Sequence, residues 1–78
     1  MKMRISQKYI REGVRGGLRA FHCPVARVLF DQTGKRWWVG PTYAQTKDDF
    51  VELPKRVVNW ISRFDYGLPV KPISFNFP

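Results

Sequence analysis

The chain has 78 residues, is 44% hydrophobic and 15% aromatic, and carries 14 Lys and Arg against 6 Asp and Glu, for a formal net charge of +8. That length accommodates one domain and excludes an enzyme assembled from a cofactor domain and a separate substrate domain. The aromatic content argues against disorder, and the basic excess points to an acidic partner without naming a reaction.

Met1, Met3 and Ile5 alternate with Lys2 and Arg4, which predicts a short strand with one buried face. Ser6 is placed to N-cap a short helix over 7–12, with Tyr9 and Ile10 as its apolar contacts and Gly13 as a left-handed C-cap. Residues 14–21 read as a Gly- and Arg-containing connector, because three glycines among residues 13–17 oppose a long helix. Pro24, after Cys23, suits the first position of the next helix, where it needs no amide hydrogen. Val25, Val28 and Leu29 form that helix's apolar face, and Asp31-Gln32-Thr33-Gly34 ends it in a turn.

Trp37, Trp38 and Val39 open a strand that bends at Gly40-Pro41 and continues through Thr42, Tyr43 and Ala44. After the polar turn Lys47-Asp48-Asp49, the residues Phe50, Val51 and Leu53 form its hairpin partner. Pro54 repeats the helix-start device. Val57, Val58, Ile61 and Phe64 make the apolar stripe with Trp60 beside it, Lys55, Arg56, Asn59 and Arg63 fill the wet side, and Gly67 closes the helix. Ile73, Phe75 and Phe77 alternate with Ser74 and Asn76 as a last half-buried strand. The order β-α-α-β-β-α-β predicts a single α+β domain over residues 1–78, its helices packed on a mostly antiparallel sheet.

Several spaced elements occur together: Ile10-x-x-Gly13, Cys23-Pro24-Val25-Ala26, Leu53-Pro54-x-x-Val57-x-x-Trp60-Ile61-x-x-Phe64-Asp65-x-Gly67, and Pro69-Val70-x-Pro72-x-Ser74-Phe75. In these the chain resembles a family of short, uncharacterised proteins encoded by bacteriophages and prophages, over most of its length apart from the stretch from Trp37 to Asp49. The resemblance implies a phage or prophage origin. It carries no catalytic assignment, and the matching residues also read as fold grammar: proline helix starts, glycine caps and core positions.

Chemistry finds little purchase. Cys23 is the only cysteine, so no intrachain disulfide is expected and a reducing compartment fits. With His22 as the only histidine, a four-ligand zinc site within one chain is not expected. His22-Cys23 is the one pair with reactive side chains, but adjacent residues rarely set an imidazole against a thiol, and Cys23 reads as a small half-buried cap with His22 in a loop. Asp48 and Asp49 read as solvated turn residues. Gly13-x-x-Gly16-Gly17 lacks the Lys-Ser/Thr of a phosphate loop; with Arg15 and Arg19 it could hold an anion on backbone amides, or serve as a plain connector. No enzyme activity, cofactor or metal is therefore expected.

Charge is the stronger signal. Residues 1–39 hold nine Lys and Arg against two carboxylates, leaving +7 of the +8 in that half. Lys8, Arg11, Arg15 and Arg19 recur every three or four residues, and Lys35-Arg36-Trp37-Trp38 sets aromatics beside cations, as single-strand stacking platforms do. On a strand Trp37 and Trp38 face opposite ways, so one is expected in the core and the other outside. The expected binding residues are Arg11, Arg15, Arg19, Lys35 and Arg36, with Trp37 or Trp38 as anchor. The reading that follows is a non-enzymatic phage accessory protein that inhibits or modulates host nucleic-acid-handling or defence machinery, an anti-CRISPR-like role. The alternatives are direct, non-specific DNA or RNA binding, and a virion or homo-oligomeric structural protein pairing through the strand from Phe75 to Phe77. The basic start, Met1 to Ser6, has no apolar h-region, and no apolar run approaches a membrane span, so no membrane partner and a place in the host cytoplasm are expected.

Overall fold

The computed structural model of the chain describes residues 1–13 and 19–78. The N-terminal alternation yields β1 (Lys2–Ile5), which turns Met3 and Ile5 wholly inward and leaves Lys2 and Arg4 in water. Its partner comes from the far end of the chain. β5 (Ile73–Asn76) runs antiparallel to it, with Met3 opposite Phe75 and Ile5 opposite Ile73. The Phe77 N–H extends the ladder by donating to the Met1 carbonyl at 2.7 Å.

α1 (Gln7–Glu12) begins after Ser6, whose carbonyl accepts from Ile10 N–H while its hydroxyl makes no cap bond. Gly13 is extended (φ −70°, ψ 151°) rather than left-handed. The glycine answers to crowding instead, because a Cβ there would lie 2.4 Å from two carbons of the Pro24 ring. Part of the expected connector is helical: α2 (Arg19–His22) is one turn, which places His22 in a helix and not in a loop. The rest of that connector, with Arg15, lies outside the described residues.

α3 (Pro24–Thr33) starts as its sequence dictates, with Pro24 in the first turn and Cys23 as N-cap. The Cys23 sulfur accepts from Ala26 N–H at 3.4 Å, and the residue is fully buried where a half-buried one was expected. The helix runs on through Asp31, Gln32 and Thr33, expected as a turn. The Thr33 hydroxyl donates back to the Leu29 carbonyl (2.7 Å), and Gly34, at φ 73°, supplies the left-handed cap one residue later.

β2 (Trp38–Val39), β3 (Tyr43–Gln45) and β4 (Phe50–Glu52) form an antiparallel meander. Gly40-Pro41 does not bend one strand; it reverses the chain, so that Val39 faces Ala44 and Trp38 faces Gln45. The Gly40 N–H closes this turn on the Tyr43 carbonyl (2.8 Å), and the Tyr43 ring lies where a Cβ on Gly40 would be, 2.7 Å away. Leu53, expected inside the third of these strands, follows it and is buried, its N–H on the Thr42 carbonyl. The single expected sheet is thus two, β1-β5 and β2-β3-β4, both antiparallel. The first and last strands satisfy each other and do not join the meander.

α4 (Lys55–Asp65) carries Pro54 as N-cap, one residue before the expected place, its carbonyl accepting from Val57 and Val58. Val57, Trp60, Ile61 and Phe64 are buried, and Gly67 (φ 76°) closes the end as expected. Arg56 and Arg63, expected on the wet side, are engaged, as is the indole N–H of Trp60 beside the apolar stripe. Arg56 donates to the Ser74 carbonyl (2.7 Å), Trp60 Nε1 to the Lys71 carbonyl (2.7 Å) and Arg63 to the Pro69 carbonyl (3.3 Å). Three side chains spaced one turn apart thereby tie the returning segment to the helix. Both sheets and the longer helices bury their apolar faces in one cluster that includes Met3, Leu29, Val39, Phe64, Phe75 and Phe77. The fold is a single small α+β domain. No helix among the described residues is long and apolar enough to cross a membrane.

A candidate cationic and aromatic groove

The helical end of the molecule holds a groove of about 540 Å³, lined by residues of α1, α2, α3 and the run into β2. That volume lies within the roughly 300–1,000 Å³ of small-ligand sites. α1 contributes Lys8, Tyr9 and Glu12, and α2 contributes Phe21 and His22. α3 adds Ala26, Arg27, Phe30 and Asp31, and Arg36 and Trp37 follow. Phe21 and Phe30 keep 45% and 50% of their surface in water, a large apolar exposure for two rings lining one groove.

Three of the charged groups, Arg36, Arg27 and Asp31, have partners that hold them in place. The Arg36 guanidinium lies 5.6 Å from the centre of the Phe21 ring, within cation–π range. Arg27 donates through Nε to the His22 carbonyl at 3.1 Å, which anchors its planar fork beside α2. The Tyr9 hydroxyl donates to Asp31 Oδ2 at 2.6 Å and bridges α1 to α3. That bond to a carboxylate, with desolvation and the negative charge of Asp31 behind it, pushes the Tyr9 phenol up to about 12. Among the described residues of the lining, Lys8, Arg27 and Arg36 outnumber Glu12 and Asp31, an excess of positive charge.

The expected binding residues whose side chains the structure describes, Arg11, Lys35, Arg36, Trp37 and Trp38, do not all meet in the groove. Arg36 and Trp37 line the groove. Trp37 is core, however, at 5% exposure, its Nε1 donating to Thr33 Oγ1 (2.9 Å) and its ring edge-on to Phe77 at 5.0 Å, so it forms floor and not an exposed anchor. Arg11 is exposed in the last turn of α1, outside the lining, and Arg19 opens α2. Lys35 is paired with Asp49 at 3.2 Å, so Asp49 is no idle turn carboxylate and Lys35 does not line the groove. Trp38 is half-buried on the outer face of the meander, its ring 5.5 Å from Tyr43, which in turn stacks on Phe50 at 5.2 Å. That row borders a smaller hollow of about 350 Å³ that includes Glu52 and Lys55 and lacks the cationic excess.

Sequence reasoning passed over Phe21, Arg27 and Phe30. Phe30 did leave a trace: it falls on the side of α3 opposite the stripe of Val25, Val28 and Leu29, where an aromatic has no core to enter. Phe21 and Arg27 left none, since their meaning depends on which helix lies opposite. The Cys23 thiol, 1% exposed, is closed to any substrate in solution. What the groove can do is hold something flat and negatively charged. Arginine forks suit carboxylate or phosphate, and open ring faces suit planar or apolar groups. No protein-family model, curated protein or solved structure matches the chain.

Proposed function

We propose that the chain is a small basic accessory protein of the phage type that acts by binding rather than catalysis. In this reading it inhibits or modulates host nucleic-acid-handling or defence machinery in the host cytoplasm, as an anti-CRISPR-like protein does. The observation that carries it is the Arg36–Phe21 pair, which sets a cation over an exposed ring at the mouth of a groove with further cations and a second exposed ring. Such a surface suits an acidic partner bearing planar groups. The phage origin and the choice of host machinery rest on the resemblance of the Cys23-Pro24-Val25-Ala26 and Leu53-to-Gly67 elements.

The test is affinity capture from host lysate with the tagged chain and with Arg36→Glu, each with and without nuclease. The expected result is a nucleic-acid-handling partner held by the natural chain and lost with Arg36→Glu. Equal recovery by both chains, or recovery of no such partner, overturns the reading.

A further inference from the structure

We infer that the groove between α1, α2 and α3 is a site for single-stranded nucleic acid, with an unstacked base laid on the exposed rings and its phosphates on the flanking cations. This rests on the reading that the chain works by binding at this groove, and it names the occupant. Each unit of a nucleic-acid strand carries one flat ring and one negative charge. The groove's lining holds the same two complements: Phe21 and Phe30 from two different helices, and Arg36, Arg27 and Lys8. Phe21 and Phe30 both keep about half of their surface open, with the Arg36 guanidinium over one face of Phe21. Arg36 already lies over Phe21, and a guanidinium plane beside an aromatic is a surface on which bases stack as well as a phosphate donor.

Concavity selects the form of the nucleic acid. In a duplex the base faces are stacked against one another and only edges and phosphates are presented, so Phe21 and Phe30 would meet nothing that suits them. A single strand can turn a base outward into the groove. Glu12 and Asp31 stand in the lining as acceptors for the amino groups of such a base, while Tyr9 holds Asp31 in position through its 2.6 Å bond. The outer row of Trp38, Tyr43 and Phe50 is a poorer platform, because its rings pack on one another and its hollow pairs one carboxylate, Glu52, with one cation, Lys55, and so has no cationic excess among the described residues.

The test is fluorescence anisotropy with a labelled deoxycytidine oligonucleotide of about 12 nucleotides, within the usual site size and with an amino group on every base, and with the same strand annealed to its complement. The expected result is preferential binding of the single strand. The log affinity should fall by about 2 per log unit of salt if Lys8, Arg27 and Arg36 each meet a phosphate at about 0.7 apiece. Phe30→Ala, at an exposed ring whose loss leaves the core intact, should weaken binding on the order of tenfold. Arg36→Ala should also reduce the salt slope by about 0.7. Lys47→Ala removes the same charge from the exposed turn beyond β3 and should leave affinity nearly unchanged, with circular dichroism confirming that every variant is folded.

Absent binding at low salt, equal binding of duplex, or an equal loss in Lys47→Ala overturns the inference. If the oligonucleotide is not bound while an Arg36-dependent, nuclease-resistant protein partner is captured, the occupant is an acidic protein surface: the inference falls and the broader reading stands. If neither is found, both fall.

Discussion

The Tyr9 hydroxyl sits 2.6 Å from Asp31 Oδ2, and this one bond joins the two helices that carry most of the groove. Its pH behaviour follows from the sign of the shift. The phenol is neutral when protonated, and its folded value of about 12 lies above the ordinary 10, so the folded chain holds the proton more tightly than the unfolded one. The stability it contributes is complete below pH 10 and is lost as pH rises toward 12. Tyr9→Phe should therefore cost about 0.5–1 kcal/mol at neutral pH, the usual worth of a partly exposed hydrogen bond. That gap should close between pH 10 and 12, read as urea midpoints of the two chains across the range. A gap that stays constant to pH 12 would show that the phenol does not meet the carboxylate in the folded chain. Lys35 and Arg36 make the same point about single residues. They are neighbours of equal charge, yet one is tied to Asp49 and the other stands over an open ring. Charge in the sequence marked both, and only geometry separates them.

At the scale of elements, α4 shows how basic residues become structural. Arg56, Trp60 and Arg63 recur at one turn's spacing and donate to the carbonyls of Ser74, Lys71 and Pro69, the first in β5 and the other two in the irregular stretch that leads to it. Trp60→Phe keeps a ring in the stack on Phe64 but strips the 2.7 Å donor from Lys71. It should cost about 1–3 kcal/mol in chemical denaturation, the penalty of orphaning a part-buried carbonyl. Arg63→Ala, with a longer bond at 3.3 Å in an exposed place, should cost well under 1 kcal/mol. Equal losses would mean that the ring's bulk, and not its N–H, holds the segment.

The elements themselves were readable because their signals are local. Pro24 marks a helix start, Gly34 and Gly67 mark ends, Met3 and Ile5 alternate with charge, and Val57, Ile61 and Phe64 keep helical spacing. What escaped depends on partners distant in sequence. The reversal at Gly40-Pro41 follows from Tyr43 folding back over it, the split into two sheets from β1 finding β5, and the role of Gly13 from the Pro24 ring pressed against it. The groove escaped for the same reason. Phe21 and Arg27 carried no periodic signal, and the walls come from three separate helices.

Over the whole molecule, charge is divided unevenly between the two halves of the chain, while the core draws on both. The near-neutral second half supplies α4 and β5, and the sheet that closes the core pairs residues more than sixty positions apart. Phe77 sits just beyond that pairing, 2% exposed and edge-on to Trp37 at 5.0 Å. Trp37 in turn is part of the groove floor, so the last residues of the chain support the site at the opposite end of the sequence. Phe77→Ala empties a fully enclosed aromatic position, a change that typically costs about 3–5 kcal/mol. A domain of this size commands only about 5–10 kcal/mol in total, and each kcal/mol is worth roughly 4–8 °C in Tm. The variant should therefore melt more than about 12 °C below the natural chain and move Trp emission to the red as Trp37 gains water, both followed in one fluorescence melt. A Tm within a few degrees of the natural chain would mean that Phe77 does not close the core. The groove floor would then have to be held by α3 alone, through the Thr33 hydroxyl on Trp37 Nε1.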